Sequence, residues 1–286
     1  MLREALEFIV TPGSRLARQR GYLHEIVALG ARYRRHRRAW QAHVGACHEF
    51  ILEACNRFSS PAAEKSAENK PRQLLIVGSG RLIEIPLAAL TERFEEVTLL
   101  DLVHPWTVRR QARRYNGRVR LVEGDCTGLL ARLQRPCTAQ DLMTMDRADG
   151  MRPLADKRYS LAISCNILSQ LPIAILHHLE HGPPRHSWNE EAGEVLGRKI
   201  LTDHVRWLSG CADHACLYSD MAGHWRQNDR TVALQDSFHG LIATEPDRQW
   251  DWDIAPAPEM DPRLDLRHRV GGWFTASTMF AQPDTP

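Results

Sequence analysis

Gly78-Ser79-Gly80 follows a short apolar run, Leu74-Leu-Ile-Val77. Two glycines let the backbone turn sharply and approach a ligand closely, while the N–H groups opening the next helix face whatever sits there. The next apolar run, Val97-Thr-Leu-Leu100, stops at Asp101, about 21 residues beyond Gly80, the spacing at which a carboxylate accepts the two hydroxyls of a ribose. A third run, Val119-Arg-Leu-Val122, ends in Glu123-Gly124-Asp125-Cys126, where an acid can accept a hydrogen bond from an adenine amino group. Together the three turns have the chemistry of a nucleoside site. Farther along, Asn166 and Gln170 follow a fourth apolar run, and Asp220 and His224 follow a fifth in Tyr218-Ser-Asp-Met-Ala-Gly-His-Trp225-Arg226. Asp220 can accept a proton or orient an amine, and His224 is of the residue type that can act as a general base. Trp225 either stacks on a planar substrate or fills the core.

These groups share a site only if the runs lie side by side. Strands are expected at Leu74–Val77, Val97–Leu100, Val119–Val122, Tyr159–Ile163 and Ala215–Tyr218, each a short apolar segment of the kind buried in a parallel sheet. Helices are expected at Arg81–Phe94, Thr107–Tyr115 and Glu190–Leu208, the last with Ala192, Val195, Leu196, Ile200, Leu201, Val205 and Leu208 on one face. Alternating strands and helices imply right-handed crossovers and a doubly wound, mostly parallel sheet, whose ligands bind beyond the carboxyl ends of the strands. Gln249–Ile254 and Leu264–Val270 alternate with period two across a proline-rich turn, so they read as an antiparallel pair. Ahead of the sheet, residues 1–58 read as helical, with a turn at Thr11-Pro12-Gly13 and Ser14 as the cap of the longer helical stretch after it. Residues 59–71, polar with a proline near each end, read as a linker, and residues 72–286 as the α/β domain.

From Arg72 to Tyr218 the chain resembles the class I S-adenosylmethionine-dependent methyltransferases. Ile76-Val-Gly-Ser-Gly-Arg-Leu82 is similar to that family's glycine loop, Leu99-Leu-Asp101 to its ribose-binding acid, and Gly124-Asp125-Cys126 to its adenine-recognising turn. Tyr159 to Pro172, with Asn166 inside it, resembles the segment that faces the methyl group. The resemblance implies a Rossmann-like, seven-stranded sheet with an antiparallel C-terminal strand. It implies S-adenosyl-L-methionine as cofactor, held by Gly78, Ser79, Gly80, Asp101, Asp125, Cys126 and Asn166. It also implies methyl transfer, most simply to a small molecule, with Asp220, His224 and Asn166 as candidate catalytic groups. The chain departs from the pattern at Ile76, where the family has an acid, and at Leu82, where it often has a third glycine. Glu84 is one group able to hold the cofactor's amino-acid end instead. Two other readings use the same residues: a degenerate S-adenosylmethionine-binding protein without turnover, and an NAD(P)-dependent oxidoreductase, for which Gly78, Gly80 and Asp101 would also serve.

Composition narrows the partners. Apolar residues make up 43% of the 286 and charged residues 25%, ordinary values for a globular protein. No apolar run approaches the ~20 residues of a membrane span, and the first ten residues lack a secretory pattern, so a cytoplasmic protein is expected. Seven scattered cysteines without a CxxC pair read as apolar packing residues rather than a disulfide or zinc framework. A formal charge of +2 gives no general attraction to nucleic acid. The basic run Arg32–Arg38 has the charge to contact RNA phosphates or an acidic substrate, but with no RNA-binding motif beside it, it reads first, like the helix around Thr107–Arg114, as a solvated face. His177 and His181 have a metal-ligand spacing but no evident third ligand, and no metal is expected. The sequence sets no oligomeric state.

Overall fold

The computed structural model describes residues 21–58, 72–145, 157–182, 188–228 and 230–280, with the single residues 11 and 154. The Thr11-Pro12-Gly13 turn beyond its first residue, the Ser14 cap and the linker at 59–71 fall outside them. Two helices come first, α1 (Tyr22–Arg35) and α2 (Gln41–Phe58). Strands then alternate with helices: β1 (Gln73–Val77), α3 (Leu87–Arg93), β2 (Glu96–Asp101), α4 (Trp106–Ala112) and β3 (Val119–Glu123). A short α5 (Ala139–Met143) precedes β4 (Tyr159–Cys165), and α6 (Ile173–His181) and α7 (Glu190–Gly210) precede β5 (Ala212–Gln227). Three strands close the chain: β6 (Arg230–Asp236), β7 (Arg248–Ala255) and β8 (Asp265–Trp273).

One sheet runs through the molecule in the order β3-β2-β1-β4-β5-β8-β7, with β6 off that path and paired to β5. β1 to β5 are mutually parallel, and β8 runs antiparallel to β5 between them and β7. Strand order reverses between β1 and β4. This is the Rossmann-like, doubly wound α/β fold with a reversed strand near its C-terminal edge. The path holds the seven strands anticipated, and β6 is an eighth.

Alternation along the strands divides the core into two layers. Leu75, Val77, Ala162 and Leu217 face one way, against α7 (Leu196, Ile200, Leu201, Leu208). Leu74, Ile76, Leu161, Ile163, Cys165, Cys216 and Tyr218 face the other way, against α3 and α2. The second helix therefore forms part of the sandwich, burying Cys47, Phe50, Ile51, Ala54 and Cys55 on the sheet. Phe50 stacks on Phe274 with ring centroids 4.6 Å apart. Its ring lies where Gly272 has no side chain, and a Cβ there would come within 2.6 Å of it. A fully buried aromatic of this kind contributes roughly 1.5–3 kcal/mol by removal from water. α1 lies over the loops instead: Leu23, Ile26 and Val27 pack on Val103, just past β2, and the Arg81 side chain donates to the Ile26 carbonyl at 3.3 Å.

Two elements differ from expectation. The helix after β1 begins at Leu87 rather than Arg81, because residues 81–86 form a tight irregular turn that holds Leu82 at φ 61°. β5 does not end at Tyr218 but continues to Gln227 and turns at Asn228 into β6. The extension finds its hydrogen-bonding partner on the side that β4 vacates. β4 pairs with β5 as far as Cys165 opposite Tyr218, Asn166 adds one more backbone bond to Tyr218, and β6 takes over from Ala222.

Candidate functional site

The glycine bend leaves β1 at the point where strand order reverses. Gly78 and Gly80 have φ of 77° and 49°, in the left-handed region that side chains disfavour. At Gly78 the need is also steric, since a Cβ would lie 2.9 Å from the Cys165 carbonyl and from Ile167 Cβ. Gly80 is different: its missing Cβ would meet no atom of the described residues within 4 Å, so its face is open to a ligand. Leu82, in the place of the family's third glycine, keeps a glycine-like φ of 61°. The loop therefore holds its shape without that glycine, at a strain of roughly 1 kcal/mol. Ile76, where the family has an acid, is wholly buried in the core.

Asp101 is drawn to this bend. One carboxylate oxygen accepts the Gly80 N–H at 2.7 Å and the other accepts the Leu102 N–H at 2.7 Å. Burial pushes its pKa up, opposed by nearby His104 and by backbone N–H groups. Asp101 is thus a shielded carboxylate at the mouth of the bend, with acceptor capacity beyond its two N–H bonds. The next strand supplies Glu123, opposite Asp101 in the register, but it accepts from the His104 N–H at 3.0 Å and pairs with Arg109 at 2.5 Å.

Asp125 folds back on its own turn. It accepts from Thr127 N and Oγ1 at 2.8 and 2.6 Å, and from Leu130 N at 2.8 Å. Cys126 is buried in the α7-side core, so its backbone rather than its thiol is what this turn can present. Gly78, Ser79, Gly80, Asp101, Asp125 and Asn166 all stand just beyond the ends of adjacent parallel strands, on one edge of the sheet.

Asn166 is 4% exposed with φ 49°. Its Oδ1 accepts the Asp220 N–H at 3.0 Å, whereas its Nδ2 has no partner among the described residues. Ser79 Oγ and Asp220 Oδ1 are likewise buried without a partner there. Native interiors leave few such atoms, because each costs on the order of 1–3 kcal/mol. The other Asp220 oxygen lies 2.9 Å from His268 Nδ1, at ion-pair distance but off the line of a hydrogen bond.

His224 is not with them. The apolar pattern places Asp220 and His224 in a loop after β5, whereas both lie within the strand. A bulge between Asp220 and Ala222 reverses the alternation. Asp220 and Gly223 share the face of Val270 and His268, and Trp225 lies opposite Leu266 on that face; His224, opposite Arg267, is turned to the other. Four residues of strand also separate His224 from Asp220 by about 13 Å. The histidine beside Asp220 is His268, and nothing short of the β5–β8 register would have revealed it.

Glu84 belongs to a buried network under α2. It accepts from the Tyr218 hydroxyl at 3.1 Å and lies 3.2 Å from His43 Nε2, and the Trp250 indole donates to His43 Nδ1 at 3.0 Å. Cys47 stands over the His43 ring, and Trp252 stacks on that ring at 4.1 Å. His43, Cys47 and Glu84 have the donor types of a metal centre. The hydrogen bonds assign them otherwise: because His43 accepts at Nδ1, its proton sits on Nε2 and points to Glu84. Burial raises the Cys47 thiol well above its ordinary pKa, which opposes the thiolate a metal needs. All seven cysteines are free, and burial raises the Cys55 and Cys211 thiols to about 12. His177 and His181 stack on each other at the exposed end of α6. No helix among the described residues is long and apolar enough to cross a membrane.

No family model and no curated protein matches the sequence. Among solved structures, the chain is similar to a 1,6-didemethyltoxoflavin-N1-methyltransferase of Burkholderia thailandensis with bound 1,6-didemethyltoxoflavin and S-adenosylhomocysteine. The identity is 15% over 87% of this chain and 89% of that one, with a TM-score of 0.35. It is similar also to an S-adenosylmethionine-dependent methyltransferase of Clostridium acetobutylicum, at 9% identity over 78% and 89% of the two chains and a TM-score of 0.35. Against the bifunctional kinase-methyltransferase WbdD the identity is 10%, over 78% of this chain, with a TM-score of 0.39, and the chain spans only 38% of that protein's length.

Proposed function

We propose that the protein is an S-adenosylmethionine-dependent methyltransferase acting on a small molecule. The observation that carries the reading is the open glycine bend at the switch point of the sheet with the Asp101 carboxylate closing on it. That arrangement suits an adenosine whose ribose hydroxyls donate to Asp101 and whose tail runs along Gly78–Gly80. Asp125 and the Cys126 backbone border the adenine end. Bound there, the cofactor supplies an electrophilic methyl group on a sulfonium.

The chain's own part is to align an acceptor and exclude water. Asn166 Nδ2, Ser79 Oγ and Asp220 Oδ1 are buried, polar and unpartnered among the described residues, which is what a site awaiting a polar ligand presents. Asp220 in this reading orients the acceptor, with His268 behind it as the group that stabilises its charge or takes a proton through it. Glu84, fixed by Tyr218, is the carboxylate offered to the cofactor's amino-acid end, since Ile76 offers none. α1, packed over the loops that carry Val103 and Arg81, serves as a cap over a catalytic domain whose sandwich includes α2, so the cap is shorter than the 1–58 expected. His224 has no part in this site.

Thermal shift and calorimetry with S-adenosylmethionine, S-adenosylhomocysteine, NADH and NADPH test the reading. A ligand at 100 times its dissociation constant stabilises by ~2.7 kcal/mol. Stabilisation by the two adenosyl compounds is expected, and a response to the nicotinamide cofactors alone refutes it. The buried Ile76 keeps one second reading open, binding without turnover. That reading requires an adenosyl shift with no transfer of labelled methyl to a panel of small-molecule amines and hydroxyls.

A further inference from the structure

The Asp220 N–H donates to Asn166 Oδ1 at 3.0 Å, which fixes the orientation of that amide and leaves Nδ2 as a hydrogen-bond donor. Nδ2 and the acceptor Asp220 Oδ1 are both buried without a partner among the described residues. Covalent geometry keeps these two atoms within the span of one small molecule, yet they do not bond to each other. A molecule that completes both must offer a donor to Asp220 and an acceptor to Asn166.

Charge narrows the choice. No lysine or arginine pairs with Asp220 among the described residues. Its charged or titratable neighbours are His268 on β8, at 2.9 Å, Cys47 on α2 and, beyond Cys47, the His43–Glu84 pair. Arg269, the next residue on β8, is turned to the other face and held by Asp251. An anionic acceptor would therefore meet a buried carboxylate with no basic side chain to offset it, whereas a cation would pair with it.

A nitrogen suits these terms better than a hydroxyl. An ammonium brings a positive charge and several N–H donors to Asp220. Its pKa of about 10 lies about four powers of ten above that of imidazole, within reach of the Asp220–His268 pair; an alcohol, about as weak an acid as water, lies about nine away. His268, with 17% of its side chain exposed, can pass the proton on to solvent.

We infer that the acceptor is a small primary or secondary amine with a carbonyl oxygen beside the nitrogen, its N–H held by Asp220 and its oxygen by Asn166. This class deepens the methyltransferase reading and rests on it. The ammonium gives one proton to Asp220 and through it to His268. The freed lone pair then bonds the methyl carbon as the carbon–sulfur bond breaks towards sulfur, giving an N-methylammonium and a neutral thioether.

Carbon-edited NMR of the histidine rings in the full chain tests this, with the His268 signal assigned by its loss in His268→Gln. The probes are glycinamide, glycolamide (a hydroxyl in place of the amine) and ethylamine (no carbonyl), each with and without S-adenosylhomocysteine. Glycinamide should move the His268 signal and leave that of His224 in place. Glycolamide and ethylamine should bind at least about tenfold more weakly. Asp220→Asn should abolish the response, its thermal midpoint checking the fold, while His224→Gln should keep it. The glycolamide comparison uses the wild type and stands whether or not the Asp220 variant folds. An unmoved His268 signal overturns the inference, as does glycolamide or ethylamine binding as tightly as glycinamide, or a folded Asp220→Asn that responds like wild type. Adenosyl binding without an amine response sinks this inference and spares the methyltransferase reading, whereas an amine response without adenosyl binding refutes that reading and spares the amine site.

Discussion

Replacing Asp101 by Asn separates the two tasks assigned to this residue. The carboxylate accepts N–H groups from Gly80 and Leu102, each at 2.7 Å, and hydrogen bonds to a charged acceptor contribute about 1.5–3 kcal/mol apiece. Asn keeps the shape but has one acceptor oxygen, so its NH₂ group must face one of those N–H donors. That loss is partly offset, because burial already raises the Asp101 pKa and works against the charged form. The net cost to folding is therefore expected to be about 1–2 kcal/mol. Binding should suffer more. Two ribose hydroxyls lose a charged acceptor, a change of roughly 3 kcal/mol or more, or at least a hundredfold in dissociation constant. Calorimetric titration with S-adenosylhomocysteine, beside a denaturant melt of the ligand-free protein, measures the two separately. An affinity within threefold of wild type, with stability lowered, would mean that Asp101 only braces the glycine bend and that the proposed cofactor pose is wrong.

The two loop glycines should behave differently. Gly78→Ala forces a Cβ to 2.9 Å from backbone at Cys165 and should cost about 2–4 kcal/mol of stability in a urea melt. Gly80→Ala, with open space at its Cβ, should cost only about 1 kcal/mol while weakening adenosyl ligands at least about tenfold. Tyr218→Phe leaves one Glu84 oxygen without its donor and should destabilise by about 1–3 kcal/mol; no change in the melt would mean that water replaces the hydroxyl there. Glu259, clamped by Arg32, Arg35 and His36 where α1 meets the β7–β8 turn, has its pKa lowered from 4.5 to about 2, first by the Arg35 hydrogen bonds. A depressed carboxylate stabilises above its ordinary pKa and loses that contribution as pH falls through the folded value. Glu259→Gln should therefore cost about 1–2 kcal/mol at pH 7, solvent screening of the half-exposed Arg35 holding the figure down. The gap to wild type should close as pH falls from 4.5 to about 2, and a pH-independent gap refutes the ion-pair account.

What the sequence made legible was local. β1 to β4 announced themselves because a buried parallel strand is a continuous apolar run ending in a turn residue, and Gly78, Gly80 and Asp101 stand at those ends. The tail pair β7–β8 was readable for the opposite reason, alternation across a proline-rich turn. β6 carries neither mark. All seven of its residues are exposed, so no buried face imposes a pattern, and it is a strand only because β5 runs past β4 and leaves an edge to be paired. The length of β5 was hidden likewise, since beyond Tyr218 its residues pack against other strands rather than against a helix layer.

The polar groups around Asn166 and Asp220 were unreadable for a more general reason. His268 reaches Asp220 from 48 positions away through the β5–β8 register, and a single bulged residue decides that His224 does not. A slip of one residue exchanges the two faces of a strand, so a reading of β5 that missed the bulge had to put His224 on the face of Asp220, where the structure places His268. Glu84 shows the same dependence: its partners come from α2 and β5, and it meets them only because the chain after Gly80 makes an irregular turn before α3. Leu82 is the residue that sets this turn, holding a left-handed φ with its side chain 9% exposed. The leucine loses to strain what glycine would not, and gains a buried apolar side chain that contributes about 1.5–3 kcal/mol. Of the two terms the second is the larger. The loop therefore retains the bend that the nucleoside reading requires, although the glycine that usually marks it is absent.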